Sequence, residues 1–284
     1  MSDPLRRLGP VVRLAPAKLN LTLAVMGRRA DGFHALHSVM VLLALADRLS
    51  VAVAPGRRDT LHVTGYPAGP LADNLALRAI AATRAALGTG RPGGPRAVPA
   101  LALRLEKRIP VAAGLAGGSS DAAAAIDAAL EAWGAELGPE DRLRVALALG
   151  SDVPFFLAGG AALVEGRGER VTPLPPVRGE PPGVLLVTPP VAVPTGAVFA
   201  AFDGGARPPD DHGVATRLTS EHIAAELRAG LSGSALVARA GVLAVANDLL
   251  VAAGEVGPGL PTFRRSLARL LGHPVGQSGS GPTC

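Results

Sequence analysis

Leu19, Leu21, Leu23 and Val25 alternate with Lys18, Asn20, Thr22 and Ala24, a two-residue period with one apolar and one polar face. That pattern predicts a strand over residues 11–26, with Lys18 and Asn20 projecting from the same side. Apolar runs at 38–53 and 61–64 predict two more strands. Leu75, Ala79, Ala82 and Ala86 recur at helical spacing and predict a helix over 74–87. Leu101, Leu103 and Leu105 restore the period of two in a strand that ends at Glu106 and Lys107. A Gly-rich turn over 110–118 follows. An Ala-rich helix comes next, its apolar stripe formed by Ala122, Ile126, Leu130 and Trp133. Glycines at 134 and 138 break it, and 139–149 predicts a further helix closed by Gly150.

Two short strands, at 161–164 and 169–172, precede the densest Pro stretch, 173–182. That shift in composition predicts a boundary between domains spanning 1–175 and 176–284. Beyond it the pattern gives a strand at 184–188, a helical turn after Thr195 and a polar loop at 203–213. Helices are expected near 220–229, 236–250 and 262–271. The Gly/Pro-rich segment 88–99 reads as an exposed excursion. No internal repeat is present.

With 284 residues, 48% of them hydrophobic and 18% charged, the chain has material for a sizeable core and for two domains. No apolar run reaches the ~18 residues of a membrane span, and the first ten residues show no signal-peptide core. The one cysteine, Cys284, excludes an internal disulfide or a thiolate metal cage, so a cytoplasmic protein is the default expectation. Net charge is +5, yet of 28 cationic side chains only Lys18 and Lys107 are lysines. The arginines are scattered and aromatics are 3% of the chain, which speaks against a nucleic-acid partner. An anionic small molecule or plain solubility suits the charge better. His34 and His37 lie close together without further ligands, so no metal ligand is assigned.

The segment from Lys107 to Asp121 carries the strongest chemical signal. Consecutive glycines let backbone N–H groups approach an oxyanion, and the helix that follows adds unpaired N–H groups at a positive dipole end. Ser119 and Ser120 suit helix N-caps and could equally bond phosphate or a phosphate-bound Mg²⁺. An ordinary strand–turn–helix junction is the competing reading. A Walker A loop is excluded because neither lysine follows a glycine, and neither G-x-G-x-x-G at this site nor any G-x-S-x-G elbow is present.

Residues 110–120, PVAAGLAGGSS, resemble the phosphate-binding motif of the galactokinase, homoserine kinase, mevalonate kinase and phosphomevalonate kinase (GHMP) superfamily. APAKLNL at 15–21, RRADGFH at 28–34 and LGSDVPFF at 149–156 narrow the resemblance to its 4-diphosphocytidyl-2-C-methyl-D-erythritol kinases. The tail SGSGPTC, 278–284, resembles the superfamily's third, Gly-rich motif. The matches run in family order from about residue 13 to the end.

The resemblance implies an α+β, two-domain GHMP kinase fold, with a ribosomal-protein-S5-like N-terminal domain, a ferredoxin-like C-terminal domain and a cleft between them. It implies transfer of the γ-phosphoryl group of ATP, with Mg²⁺, to the 2-hydroxyl of 4-diphosphocytidyl-2-C-methyl-D-erythritol. By that resemblance Asp152 is the general base and Lys18 lies beside it. ATP falls to Asn74, Lys107, Pro110, Ala113, Gly114, Leu115, Ala116, Gly117, Gly118, Ser119 and Ser120. The substrate falls to Asn20, Asp152 and Thr195, with Phe33 and Phe199 sandwiching the cytosine and His34 bonding it. Without the family, Phe33 and Phe199 read as core residues and His34 as a turn residue; Asn74 reads as a helix N-cap, a role compatible with lining a pocket; Asp152 reads equally as a helix N-cap or a functional carboxylate, and Lys18 reads as a cation donor, with a solvated surface lysine as the alternative.

Two departures stand out. Phe33 replaces a usual Tyr and keeps the stacking face; Ala116 replaces a frequent Gly, implying a negative φ or a side chain turned from the phosphate. The resemblance also implies a last strand and helix after Cys284 that this chain lacks. Expected partners are a small molecule carrying cytidine diphosphate, with no nucleic acid, no membrane, and a monomer or weak homodimer. The alternatives are another GHMP-type small-molecule kinase and a non-catalytic RNA-binding protein.

Overall fold

The structure, a computed structural model, describes residues 9–88, 98–205 and 212–284. The first eight residues of the chain, most of the 88–99 excursion and 206–211 of the polar loop lie outside the described residues. The elements in order are β1 (Val11–Asn20), β2 (Ala24–Arg28), β3 (His34–Val53), β4 (Thr60–Gly65), α1 (Leu75–Gly88), β5 (Leu101–Lys107), α2 (Gly117–Trp133), α3 (Pro139–Leu149) and α4 (Val153–Ala158). There follow β6 (Ala161–Gly166), β7 (Arg170–Leu174), α5 (Thr195–Asp203), α6 (His212–Arg228), α7 (Gly233–Val237), α8 (Ala240–Leu243), α9 (Leu250–Val256) and α10 (Leu260–Leu271).

The chain packs as two compact units that interleave in sequence. Among the described residues, one holds 9–17, 43–88, 98–111 and 116–157; the other holds 18–42, 112–115, 158–205 and 212–284. Interleaving arises because β1, β3 and the glycine turn each contribute to both.

In the first unit the C-terminal half of β3 pairs antiparallel with β5, Leu49 opposite Leu105 and Val53 opposite Leu101, and β5 pairs parallel with β4. Leu101, Leu103 and Leu105 face the core, as their period demands, and meet Ile80 of α1 and Ile126 of α2 in one buried cluster. The predicted stripe of α2 is buried, and so are the alanines around it, because a helix this slim can be covered on several sides. Gly134, in the left-handed conformation, ends α2, and Gly150 ends α3.

In the second unit β3 pairs antiparallel with β2 and β6, and β6 with β7. One buried cluster joins Leu23 and Val25 to Val198, Phe202 and Leu249; another joins Val39 to Ile223 and Leu227 of α6. The predicted strand over 11–26 is two strands, β1 and β2, interrupted at 21–23. There Leu23 leaves the ladder and bridges Asn247 instead. The 184–188 strand is not formed: Val187 exchanges both backbone hydrogen bonds with Cys284, at 2.9 and 3.0 Å, in an otherwise unladdered extended segment. The helix predicted at 236–250 is three short ones, α7, α8 and the start of α9, since apolar spacing does not mark where Asn247 and Asp248 turn the backbone to other partners. Among the described residues no helix is long and apolar enough to cross a membrane.

Candidate functional site

The polar face of β1 is the buried one. Lys18 is 4% exposed and Asn20 7%, a reversal of what a surface strand would show. In the second unit Lys18 Nζ donates to Asn20 Oδ1 at 2.5 Å and to the Gly114 carbonyl at 3.0 Å. The same carbonyl accepts Ser278 Oγ at 3.0 Å, and Thr283 N–H donates to the Ala113 carbonyl. Three segments far apart in sequence, the lysine strand, the glycine turn and the Gly-rich tail, meet at Gly114.

Close approach is what demands glycine there. Gly114 has φ +82°, and a Cβ would lie 2.2 Å from the Ser278 carbonyl oxygen. At Gly279, φ +59°, a Cβ would sit 3.1 Å from Lys18 Nζ. Asn247 Nδ2 holds the tail through the carbonyls of Gln277 and Gly279, and Ser280 Oγ pairs with Thr195 Oγ1 at 2.9 Å. Thr195, first residue of α5, thereby joins the same neighbourhood.

A second cluster in this unit gathers the residues expected to hold the base. The His34 ring stacks on Phe199, centroids 4.6 Å apart and planes inclined by 21°. Its Nε2 lies 2.8 Å from Asp203 Oδ1. Phe33 is 48% exposed and carries the Arg167 guanidinium over its ring at 4.5 Å. Each of the two phenyl rings therefore has a protein group on one face. Arg29 ties Glu169 at 2.8 Å and Asp31 at 3.1 Å, fixing the turn that presents Phe33. Those contacts raise the Arg29 pKa, and the carboxyls of Asp31 and Glu169 lie lower than usual, as hydrogen bonds outweigh desolvation.

In the first unit the glycine turn runs into α2. Ala116, the residue before the helix, has φ +53° and ψ 32°, so of the two expected alternatives a negative φ does not hold: the turn requires the left-handed region whether or not glycine occupies it. Ser119 and Ser120 are not N-caps. The helix already begins at Gly117, and the first intrahelical bond runs from Ser120 N–H to the Ala116 carbonyl at 3.0 Å. The N–H groups of Gly117, Gly118 and Ser119 thus have no intrahelical acceptor and form the anion-attracting end of a 17-residue helix. Ser120 Oγ is buried with no hydrogen-bond partner among the described residues, a fit for a phosphate oxygen or a phosphate-bound cation. Pro110 precedes the turn, half-buried, and Leu115, in the second unit, is buried and accepts the Lys18 N–H at 3.1 Å.

Lys107 is also buried, and its ammonium is committed inside the first unit to Asp47 and, at 2.7 Å, to Asp121. It does not present a free charge to a nucleotide. Asp47 Oδ1 accepts the N–H groups of Arg108 and Ile109 at 2.5 and 2.8 Å, pinning the start of the turn. Burial pushes the Asp121 carboxyl up to about 7 against the pull of Lys107, with Asp47 adding to the rise. Asn74 Oδ1 accepts the Ala76 N–H at 3.0 Å, so its capping role is realised. Asp152 directly precedes α4 and is partly buried. Among the described residues no three His, Cys, Asp or Glu side chains are grouped to hold a metal ion.

The sequence reading missed Ser38, Asp47 and Asp203. Ser38 and Asp47 had a weak signal, polar residues flanking the apolar run 39–46 of one strand, whereas Asp203 shows its role only once α5 is folded beside His34.

The profile described as GHMP kinases N terminal domain matches residues 74–160. A 4-diphosphocytidyl-2-C-methyl-D-erythritol kinase of Heliobacterium modesticaldum is 40% identical over 282 residues, 95% of this chain and 84% of that protein. One of Pelotomaculum thermopropionicum is 46% identical over 198 residues, 70% of this chain but 66% of that protein, just under two thirds of its length. A crystal structure of a 4-(cytidine 5′-diphospho)-2C-methyl-D-erythritol kinase is 36% identical with a TM-score of 0.67, covering 96% of this chain and 88% of that one. The mevalonate kinase of Methanococcus jannaschii shares the fold at 12% identity and a TM-score of 0.62 over 97% of this chain and 89% of its own.

Proposed function

Because this chain belongs to the 4-diphosphocytidyl-2-C-methyl-D-erythritol kinase family of GHMP kinases, we propose that it phosphorylates the 2-hydroxyl of 4-diphosphocytidyl-2-C-methyl-D-erythritol with ATP. The observation that carries this reading is the meeting of three family-like segments at one carbonyl, with Lys18 Nζ and Ser278 Oγ each 3.0 Å from Gly114 O.

In this reading the phosphates of ATP lie on the glycine turn and the N-terminal N–H groups of α2, where dipole and unpaired donors favour anions. Ser120 Oγ, buried and unpartnered, is the residue here suited to a Mg²⁺ that accompanies ATP. Such an ion, when bound, neutralises charge on the phosphate oxygens. The Asp152 carboxylate takes the proton of the 2-hydroxyl; that oxygen bonds the γ-phosphorus as the bond to the ADP oxygen breaks. Lys18, held by Asn20 and Gly114, supplies positive charge to the developing anion. Phe33, His34 and Phe199 take the cytosine, Thr195 and Asn20 the rest of the substrate, and Asn74 and the stem of Lys107 flank the adenine. We assign the N-terminal GHMP domain to 1–175 and the C-terminal one to 176–284. The enzyme is assigned to the cytoplasm, acting on a small molecule rather than on nucleic acid.

Coupled ADP release tests the reading. The protein is expected to turn over the cytidyl substrate, with Asp152→Asn and Lys18→Ala slower by about a hundredfold or more. Turnover of mevalonate or homoserine in place of the cytidyl compound would overturn it.

A further inference from the structure

The polar face of β1 does not stop at Lys18 and Asn20; it continues into a buried chain of hydrogen bonds within the second unit. Lys18 Nζ is a donor only, so its partner 2.5 Å away has to be the carbonyl oxygen of Asn20. That assignment turns the Asn20 amide NH₂ toward Ser38 Oγ, 2.9 Å distant. Ser38 has a single proton, and it goes to the Thr22 carbonyl at 2.5 Å, leaving a lone pair to face the amide. Thr22 Oγ1 accepts the Val39 N–H at 3.0 Å and lies 2.6 Å from Ser220 Oγ on α6. Ser38 and Ser220 are fully buried, and Thr22 and Asn20 nearly so.

We propose that Ser38 is a positioning residue for phosphoryl transfer, locking the Asn20 amide so that its oxygen, not its nitrogen, holds the Lys18 ammonium. The proposal rests on the kinase reading, through the role given to Lys18. Turning the amide over would set NH₂ against an ammonium at one end. At the other it would set a carbonyl against a hydroxyl whose proton is already placed. Both ends would lose their bonds where water cannot replace them. With Ser38 removed, only one end still selects the orientation, and the amide and the ammonium it steadies gain freedom. Because Thr22 lies in the link between β1 and β2, Ser38 on β3 and Ser220 on α6, the lock is anchored in the strands and the helix together.

The test compares Ser38→Ala, Ser38→Cys and Ser38→Thr in the full chain. Cysteine nearly conserves volume but is a poor acceptor for the amide; threonine keeps the hydroxyl. The expected result is a kcat lower by about tenfold to a hundredfold in the Ala and Cys variants, with both KM values within about threefold of the parent and most of kcat restored by Thr. The side-chain amide pair of Asn20, assigned by its loss in Asn20→Asp, is expected to exchange slowly with solvent in the parent and fast in Ser38→Cys. If thermal unfolding shows that Ser38→Ala does not fold, Ser38→Cys carries the comparison. Full kcat in Ser38→Cys, or an Asn20 amide whose exchange is unchanged, overturns the proposal. A parent protein with no kinase turnover would sink the kinase reading instead, and the amide exchange would still decide whether the lock exists.

Discussion

Replacing Asp121 by asparagine is expected to stabilise the protein, by an amount that grows with pH. One ammonium, that of Lys107, faces the two carboxylates of Asp47 and Asp121, so the buried triad carries an excess negative charge. Asp47 is the better satisfied, since it also accepts two backbone N–H groups, whereas Asp121 Oδ1 has no hydrogen-bond partner among the described residues. Burial raises the Asp121 carboxyl from 3.8 to about 7. That rise makes its ionised form about 4 kcal/mol less favourable in the native protein than in the unfolded chain. Between pH 3.8 and about 7 the native state keeps a proton that the unfolded chain has released. Stability therefore falls as pH rises through that window and levels off above it. Asparagine carries no charge yet still offers Lys107 a carbonyl oxygen, so the variant lacks the fall. The expected gain is about 1–2 kcal/mol at pH 5 and up to about 4 kcal/mol at pH 8. Urea unfolding can be followed by the fluorescence of Trp133, the one tryptophan, 5% exposed on the same helix α2. An equal gain at both pH values, or a loss at both, would refute the reasoning.

Asp47→Asn should act in the opposite sense. It removes the charge from the acceptor of the Arg108 and Ile109 N–H groups while Lys107 keeps Asp121, and should cost about 1–3 kcal/mol in the same urea titration. Gly114→Ala places a methyl group 2.2 Å from the Ser278 carbonyl at φ +82°, so it should lower stability by about 2 kcal/mol or more and loosen the tail, read as faster amide exchange at Ser278, Gly281 and Thr283. Ala116→Gly relieves a left-handed alanine and should leave stability unchanged or raise it by up to about 1 kcal/mol, a rise in Tm that a scanning calorimeter resolves.

Period and punctuation determined most of the elements. The alternation of Leu101, Leu103 and Leu105 set β5, the glycines at 134 and 150 set the ends of α2 and α3, and the Gly-rich turn marked the anion-attracting helix end, since these are properties of a few adjacent residues. Local pattern also placed Lys18 and Asn20 on one face. It could not say that this face is the buried one, because burial depends on what β3, the glycine turn and the tail bring against it. The sign of φ at Ala116 was likewise decided by how the turn must enter α2, not by the preference of alanine. The breaks at 21–23 and within 236–250 came from partners more than 200 residues away or from the tail, through the Leu23–Asn247 bridge and the Asp248 bond to Val25 N–H. The partners of Lys107, His34 and Asn20 were decided in the same way. Hydrogen bonds and ion pairs act over about 3 Å in space, and a sequence records only neighbours along the chain.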